Sequence, residues 1–184
     1  MPLNHTSMYA DLTDEHYALI GRVVVEWSNI EFLLGSLLSR LLFTPEFPGR
    51  VYSRGMGAAK LQRAVTDALE LHRLRYRNQI VDEDLELKIS QTNRHLDTLR
   101  QTRNKFAHFC WARTSDDEIF GIGFSSATGG SKRSNKDFVS YTVEELKEFH
   151  TQLYSVVDEL SNVLQLIPEM HEDGISKKLG ESAA

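Results

Sequence analysis

Apolar residues recur at helical spacing over most of the chain. Tyr17, Ile20, Val24, Trp27, Ile30, Leu34, Leu38 and Leu41 predict a first helix that starts after Thr13 and runs to about Leu42. Thr13 can cap it, and Asp14 and Glu15 suit the positive end of its dipole. The stretch from Thr44-Pro45 to Pro48-Gly49 breaks the pattern. A second helix is predicted from about Met56 to Tyr76 on Leu61, Val65, Ala68 and Leu71. A third runs from about Asp82 to Ala112 on Leu85, Ile89, Leu96, Leu99, Phe106 and Cys110. The period then changes: Ile119, Phe120, Ile122 and Phe124 are interleaved with Gly121 and Gly123, and Phe138–Tyr141 follows a polar loop, which predicts a short β-hairpin. Thr142 and Glu145 form a capping-box pattern. It opens a last helix on Phe149, Leu153, Val156, Leu160, Val163 and Ile167, stopped by Pro168.

Four long helices must bury their stripes on one another. The expected fold is therefore mainly α: a bundle of about four long helices with a short β-hairpin before the last. One domain is expected over 13–167, between a flexible N-terminus, 1–12, and a flexible tail, 168–184.

Two seams carry a charge. In the first helix, positions 17, 20, 24, 27, 31, 34, 38 and 41 are apolar except Glu31. In the third, positions 85, 89, 92, 96, 99, 103, 106 and 110 are apolar except Thr92 and Arg103. A buried charge is costly unless paired, so Glu31 and Arg103 are expected to meet. Such a pair would fix helix register, or would orient Arg103 so that its remaining donors face a phosphate.

Composition narrows the classes. The 184 residues suffice for a core, and 41% hydrophobic with 26% charged residues is ordinary globular usage. The single cysteine, Cys110, makes no internal disulfide, and it reads as a small core residue. The histidines show no metal-ligand spacing, so neither a metal nor another cofactor is expected. No secretory signal or membrane-length apolar run is visible, and the cytoplasm is the default address. The net charge of −5 argues against coating nucleic acid by overall charge. Yet residues 50–77 carry +5 and residues 94–113 carry +4, leaving −14 elsewhere. Two basic segments in an acidic chain could build one anion site, although a solvated helix face is the plainer reading of any charge run.

Arg103 and His108 lie five residues apart, a rotation of about 140° and a rise of about 7.5 Å in a regular helix. They would not share a face, whereas Asn104 and His108 would. Arg103 bends over, the helix deforms near Ala107-His108, or a second subunit supplies the missing partner. Arg103-Asn104-Lys105-Phe106-Ala107-His108, late in a long helix, resembles the Arg-x4-His signature of the HEPN superfamily (higher eukaryote and prokaryote nucleotide-binding domains). The first helix, from Gly21 to Leu34, also resembles the opening helix of bacterial members, and the resemblance covers about 13–167. It implies a metal-independent ribonuclease, a toxin or defence protein that pairs two motifs across a homodimer, with RNA as substrate and an antitoxin protein as partner. His108 would then be the acid or base, Arg103 the charge stabiliser and Asn104 the positioner, with Glu31 in support. Arg63, Arg73, Arg100 and Lys105 would hold the RNA backbone. Since many relatives do not cut RNA, a non-catalytic dimeric module binding a nucleotide or a protein stands beside this reading, and a purely structural dimer behind it.

The remaining features read more plainly. His72 is expected at the surface and His150 half-buried, while Trp27 is expected in the core. Trp111 could stack a base, but packing is the simpler job. The loop Thr128–Arg133 fails the P-loop spacing and reads as a hairpin tip.

Overall fold

Thr13 caps the first helix, α1 (Asp14–Leu41), by accepting a hydrogen bond at Oγ1 from the His16 amide at 3.2 Å. His16 returns the bond, since its Nδ1 lies 3.3 Å from the Thr13 amide. This is a capping box with imidazole in place of the usual carboxylate or carboxamide. A computed structural model describes residues 10–123 and 138–171. Among them the elements are α1, α2 (Glu46–Ser53), α3 (Ala58–Arg75), α4 (Glu83–His108), β1 (Phe109–Ser115), β2 (Glu118–Gly123), β3 (Phe138–Thr142) and α5 (Val143–Leu166). The described residues pack as two compact units, one of residues 10–27, 98–123 and 138–155, the other of 28–97 and 156–171.

The mainly helical architecture and the positions of the long helices agree with the sequence, but several details differ. The stripe of α1 is shifted by one residue in its first half. His16, Leu19, Val23, Trp27 and Ile30 are buried, while Tyr17 and Val24 are exposed. Leu19-Ile20 and Val23-Val24-Val25 offer two overlapping stripes, and His16, closed into its cap, lies on the buried one. The break at Pro45–Gly49 contains a helix, α2. Pro45 precedes it and Pro48 is its third residue, where a missing N–H costs nothing. In α3 the buried face is Leu61, Val65, Ala68, Leu69 and His72, and Leu71 is exposed.

His72 is the clearest correction to the expected surface histidines. It is 1% exposed, and its Nε2 lies 2.8 Å from the carbonyl of Leu41, the last residue of α1. A helix end leaves its last carbonyls without partners, and the imidazole N–H satisfies this one. Phe43 and Tyr76 pack on the ring at 5.3 and 5.4 Å. Arg40 does the same for α5, donating to the carbonyls of Leu164 and Ile167 and pairing with Glu169 at 3.1 Å.

In the first of these units, α4 stops at His108 and passes straight into β1. Phe109–Ala112, expected to continue the helix, instead pair with β2, and among the described residues the sheet has three antiparallel strands in the order β1-β2-β3. The antiparallel pairing of β2 with β3 that the expected hairpin requires is present, but Phe124 and the Thr128–Arg133 loop lie outside the described residues. Phe109 and Trp111 lie opposite Gly123 and Gly121, and a Cβ on either glycine would come within 3 Å of the facing ring. The glycines of β2 are therefore the floor on which two aromatic rings rest. Cys110 points the other way and is exposed, so it is no core residue. The capping box of α5 is present as expected: the Thr142 amide donates to Glu145 at 2.8 Å and the Glu145 amide to Thr142 Oγ1 at 3.1 Å. All six residues of its predicted stripe are buried.

Candidate functional site

The last three turns of α4 carry five of the basic and polar residues singled out in the sequence. Arg100, Asn104 and His108 recur at i, i+4 and i+8 and so share one face of the helix. Arg103 and Lys105 flank that face. The helix is regular to His108, which is exposed as its last residue, whereas Arg100, Arg103, Asn104 and Lys105 are half-buried. The deformation near Ala107-His108 considered from the sequence does not occur. Arg103 leans toward Asn104, with Nη1 3.5 Å from Oδ1, the outer limit of a hydrogen bond. On its other side its guanidinium carbon lies 5.5 Å from the centre of the buried Trp27 ring. A cation over an indole face gains about 0.5–1 kcal/mol when exposed and more when desolvated. Arg103 Nε is buried and finds no acceptor among the described residues.

Behind this face lies an aromatic cluster. Phe106 stacks on Trp111 with centroids 5.1 Å apart and touches Tyr141 at 5.0 Å and Phe149 at 5.6 Å. Trp111 Nε1 donates to the Phe106 carbonyl at 3.4 Å, one of the last four carbonyls of α4. Packing is thus the work of Trp111. Burial raises the Tyr141 phenol above its ordinary value; a hydrogen bond with Thr102 opposes the shift and the Glu145 charge adds to it. The unfolded chain therefore ionises this phenol first. Stability is lost as pH climbs through the ordinary tyrosine range toward the folded value. An ultraviolet difference titration should show one tyrosine ionising late, and Tyr141→Phe should abolish that step and reduce the alkaline loss of stability. A parent whose tyrosines all titrate together would contradict this.

In the other unit, Glu31 is half-buried, and its Oε1 accepts from the Ala58 amide at 3.1 Å. Ala58 opens α3, and Gly57, the capping residue, has no side chain to satisfy that donor. A carboxylate from α1 caps α3 and meets the positive end of its dipole. Glu31→Ala should cost about 1 kcal/mol through loss of the cap. A variant that melts like the parent would refute the cap. Arg63 and Arg73 are exposed on α3, and Arg73 is within 3.8 Å of Glu70. A groove of about 510 Å³ in this unit is lined by Lys88, Thr92, His95 and Glu159 among others, and none of the motif residues line it.

Among the described residues, no three His, Cys, Asp or Glu side chains gather where they could hold a metal ion. Among them, too, no helix is long and apolar enough to cross a membrane. No family model, curated protein or solved structure matches the chain.

Proposed function

We propose that this chain is an HEPN-like ribonuclease that cleaves RNA by attack of the ribose 2′-hydroxyl on the adjacent phosphate, acting as a homodimer in the manner of a toxin or defence protein. The observation that carries the reading is the arrangement on α4: Asn104 and His108 share a face, His108 is exposed at the helix end, and Arg103 touches Asn104. His108 moves the proton of the attacking or leaving oxygen. Arg103 stabilises the charge of the pentacovalent phosphorus, and Asn104 positions the phosphate. The 2′-oxygen forms a bond to phosphorus as the 5′-oxygen leaves with a proton, so the first product is a 2′,3′-cyclic phosphate. Arg100 and Lys105 hold the backbone by charge, as do Arg63 and Arg73, so binding weakens as salt rises.

The test is incubation of RNA with the protein in EDTA, beside Arg103→Ala and His108→Ala. Cleavage by the parent, ending in cyclic phosphate and reduced about 10²–10⁴-fold without the imidazole, supports the reading. Cleavage that survives His108→Ala refutes the assigned chemistry. A second reading, a non-catalytic module that binds a nucleotide or a protein, is favoured by the partly buried pose of Arg103 against Trp27. It prevails if RNA stays intact while a nucleotide or protein still binds.

A further inference from the structure

The short helix α2 is inverted. Its buried residues are Gly49 and Ser53, the smallest it has, and Gly49 sits so close to Ser39 of α1 that a Cβ would overlap the serine hydroxyl. Its large apolar residues face outward: Phe47 is 71% exposed, Val51 63% and Tyr52 69%. Phe32 on α1 extends the patch at 56%, with the Arg50 guanidinium over its ring at 3.3 Å. Arg50 is held there by Glu46 and by Ser36, whose Oγ lies 2.8 Å from Nη2. Beside the patch is a cavity of about 270 Å³ lined by Leu38, Leu42, Thr44, Gly49 and Tyr52. An apolar cavity of about 150 Å³ already accommodates a benzene ring.

We propose that this face is a homodimer interface, in which Phe47 of each copy enters the Leu38–Leu42–Tyr52 cavity of the other. A two-fold contact requires knob and hole on the same surface, and α2 and the end of α1 supply both. The area also fits. Taking about 200 Å² for a fully exposed aromatic side chain, the three rings alone offer about 400 Å² per copy. Val51 and Leu42 add to this and bring the patch toward the roughly 800 Å² that each partner gives to a standard interface. A loose, solvent-facing helix would have no need of a seating that only glycine and serine permit. The proposal does not depend on the ribonuclease reading.

The test is sedimentation or light scattering over a wide concentration range, with parent, Phe47→Glu and Leu42→Arg proteins. Both substituted positions are exposed, and circular dichroism checks that the variants fold. The parent should be a dimer, and each variant should raise the dissociation constant at least about 30-fold. An equimolar mixture should recover dimer, because the mixed pair keeps one native Phe47–Leu42 contact and places a glutamate against an arginine at the other. A monomeric parent overturns the proposal, as do variants that dimerise like the parent or a mixture that stays monomeric. Phospholipid vesicles that bind a monomeric parent and release Phe47→Glu would make the face a lipid contact instead.

Discussion

Phe106→Ala should destabilise the protein by about 3–5 kcal/mol, at the upper end for removal of one core ring. Phe106 is 6% exposed and stands where four elements converge: its own α4, β1 through Trp111, β3 through Tyr141 and α5 through Phe149. Removing it leaves a cavity that stiff aromatic neighbours cannot fill by small rotations. It also frees Trp111, whose ring is held from the other side by Gly121. Phe106→Leu keeps most of the volume and should lose less than half as much, since volume-conserving changes typically cost under about 1.5 kcal/mol. Chemical denaturation of both variants measures the difference. A Phe106→Ala protein within about 1 kcal/mol of the parent would mean that the cluster relaxes and does not hold the sheet.

The same cluster shows where the sequence was readable. Phe106 stood out because it falls on a single apolar stripe, as do the buried residues of α5. The Thr142–Glu145 box was legible because a reciprocal cap depends only on residues three apart. The junction at His108-Phe109 was not. A helix that becomes a strand with no turn has no Gly, Pro or Asn to announce it, and Phe109, Cys110 and Trp111 extend a helical stripe as readily as they alternate on a strand. What decides is the pairing with β2, and pairing is non-local. The exposure of Cys110 is hidden by the same ambiguity, since on β1 it points away from the rings of Phe109 and Trp111. The burial of His72 is illegible because its partner is the last carbonyl of another helix, a donor–acceptor match with no trace in side-chain pattern. Glu31 stands out as a charge in an apolar seam, but the bond to the Ala58 amide connects residues 27 positions apart. The motif itself was local, and its residues do lie on consecutive turns of one helix. Trp27 beside Arg103 could not be read from spacing.

The composite nature of the proposed catalytic site can be tested by mixing two inactive proteins. Because α4 stays regular to its end, Arg103 and His108 are about 140° apart around one axis, too far for both to face a single phosphate from one chain without distortion. If the arginine of one copy works with the histidine of the other, Arg103→Ala and His108→Ala each destroy both sites of their own dimers. Co-folded in equal amounts, half of the dimers are mixed. Each mixed dimer has one site with neither group and one with both, so about a quarter of the parent activity should return. The recovered activity should end in the same cyclic phosphate and vanish when the second protein is the double variant Arg103→Ala/His108→Ala. Recovery rules out contamination, since neither variant cleaves alone. If both variants are inactive and dimeric and the mixture remains as inactive as its components, Arg103 and His108 act from the same chain, and the guanidinium must then swing off Trp27 to reach the phosphate.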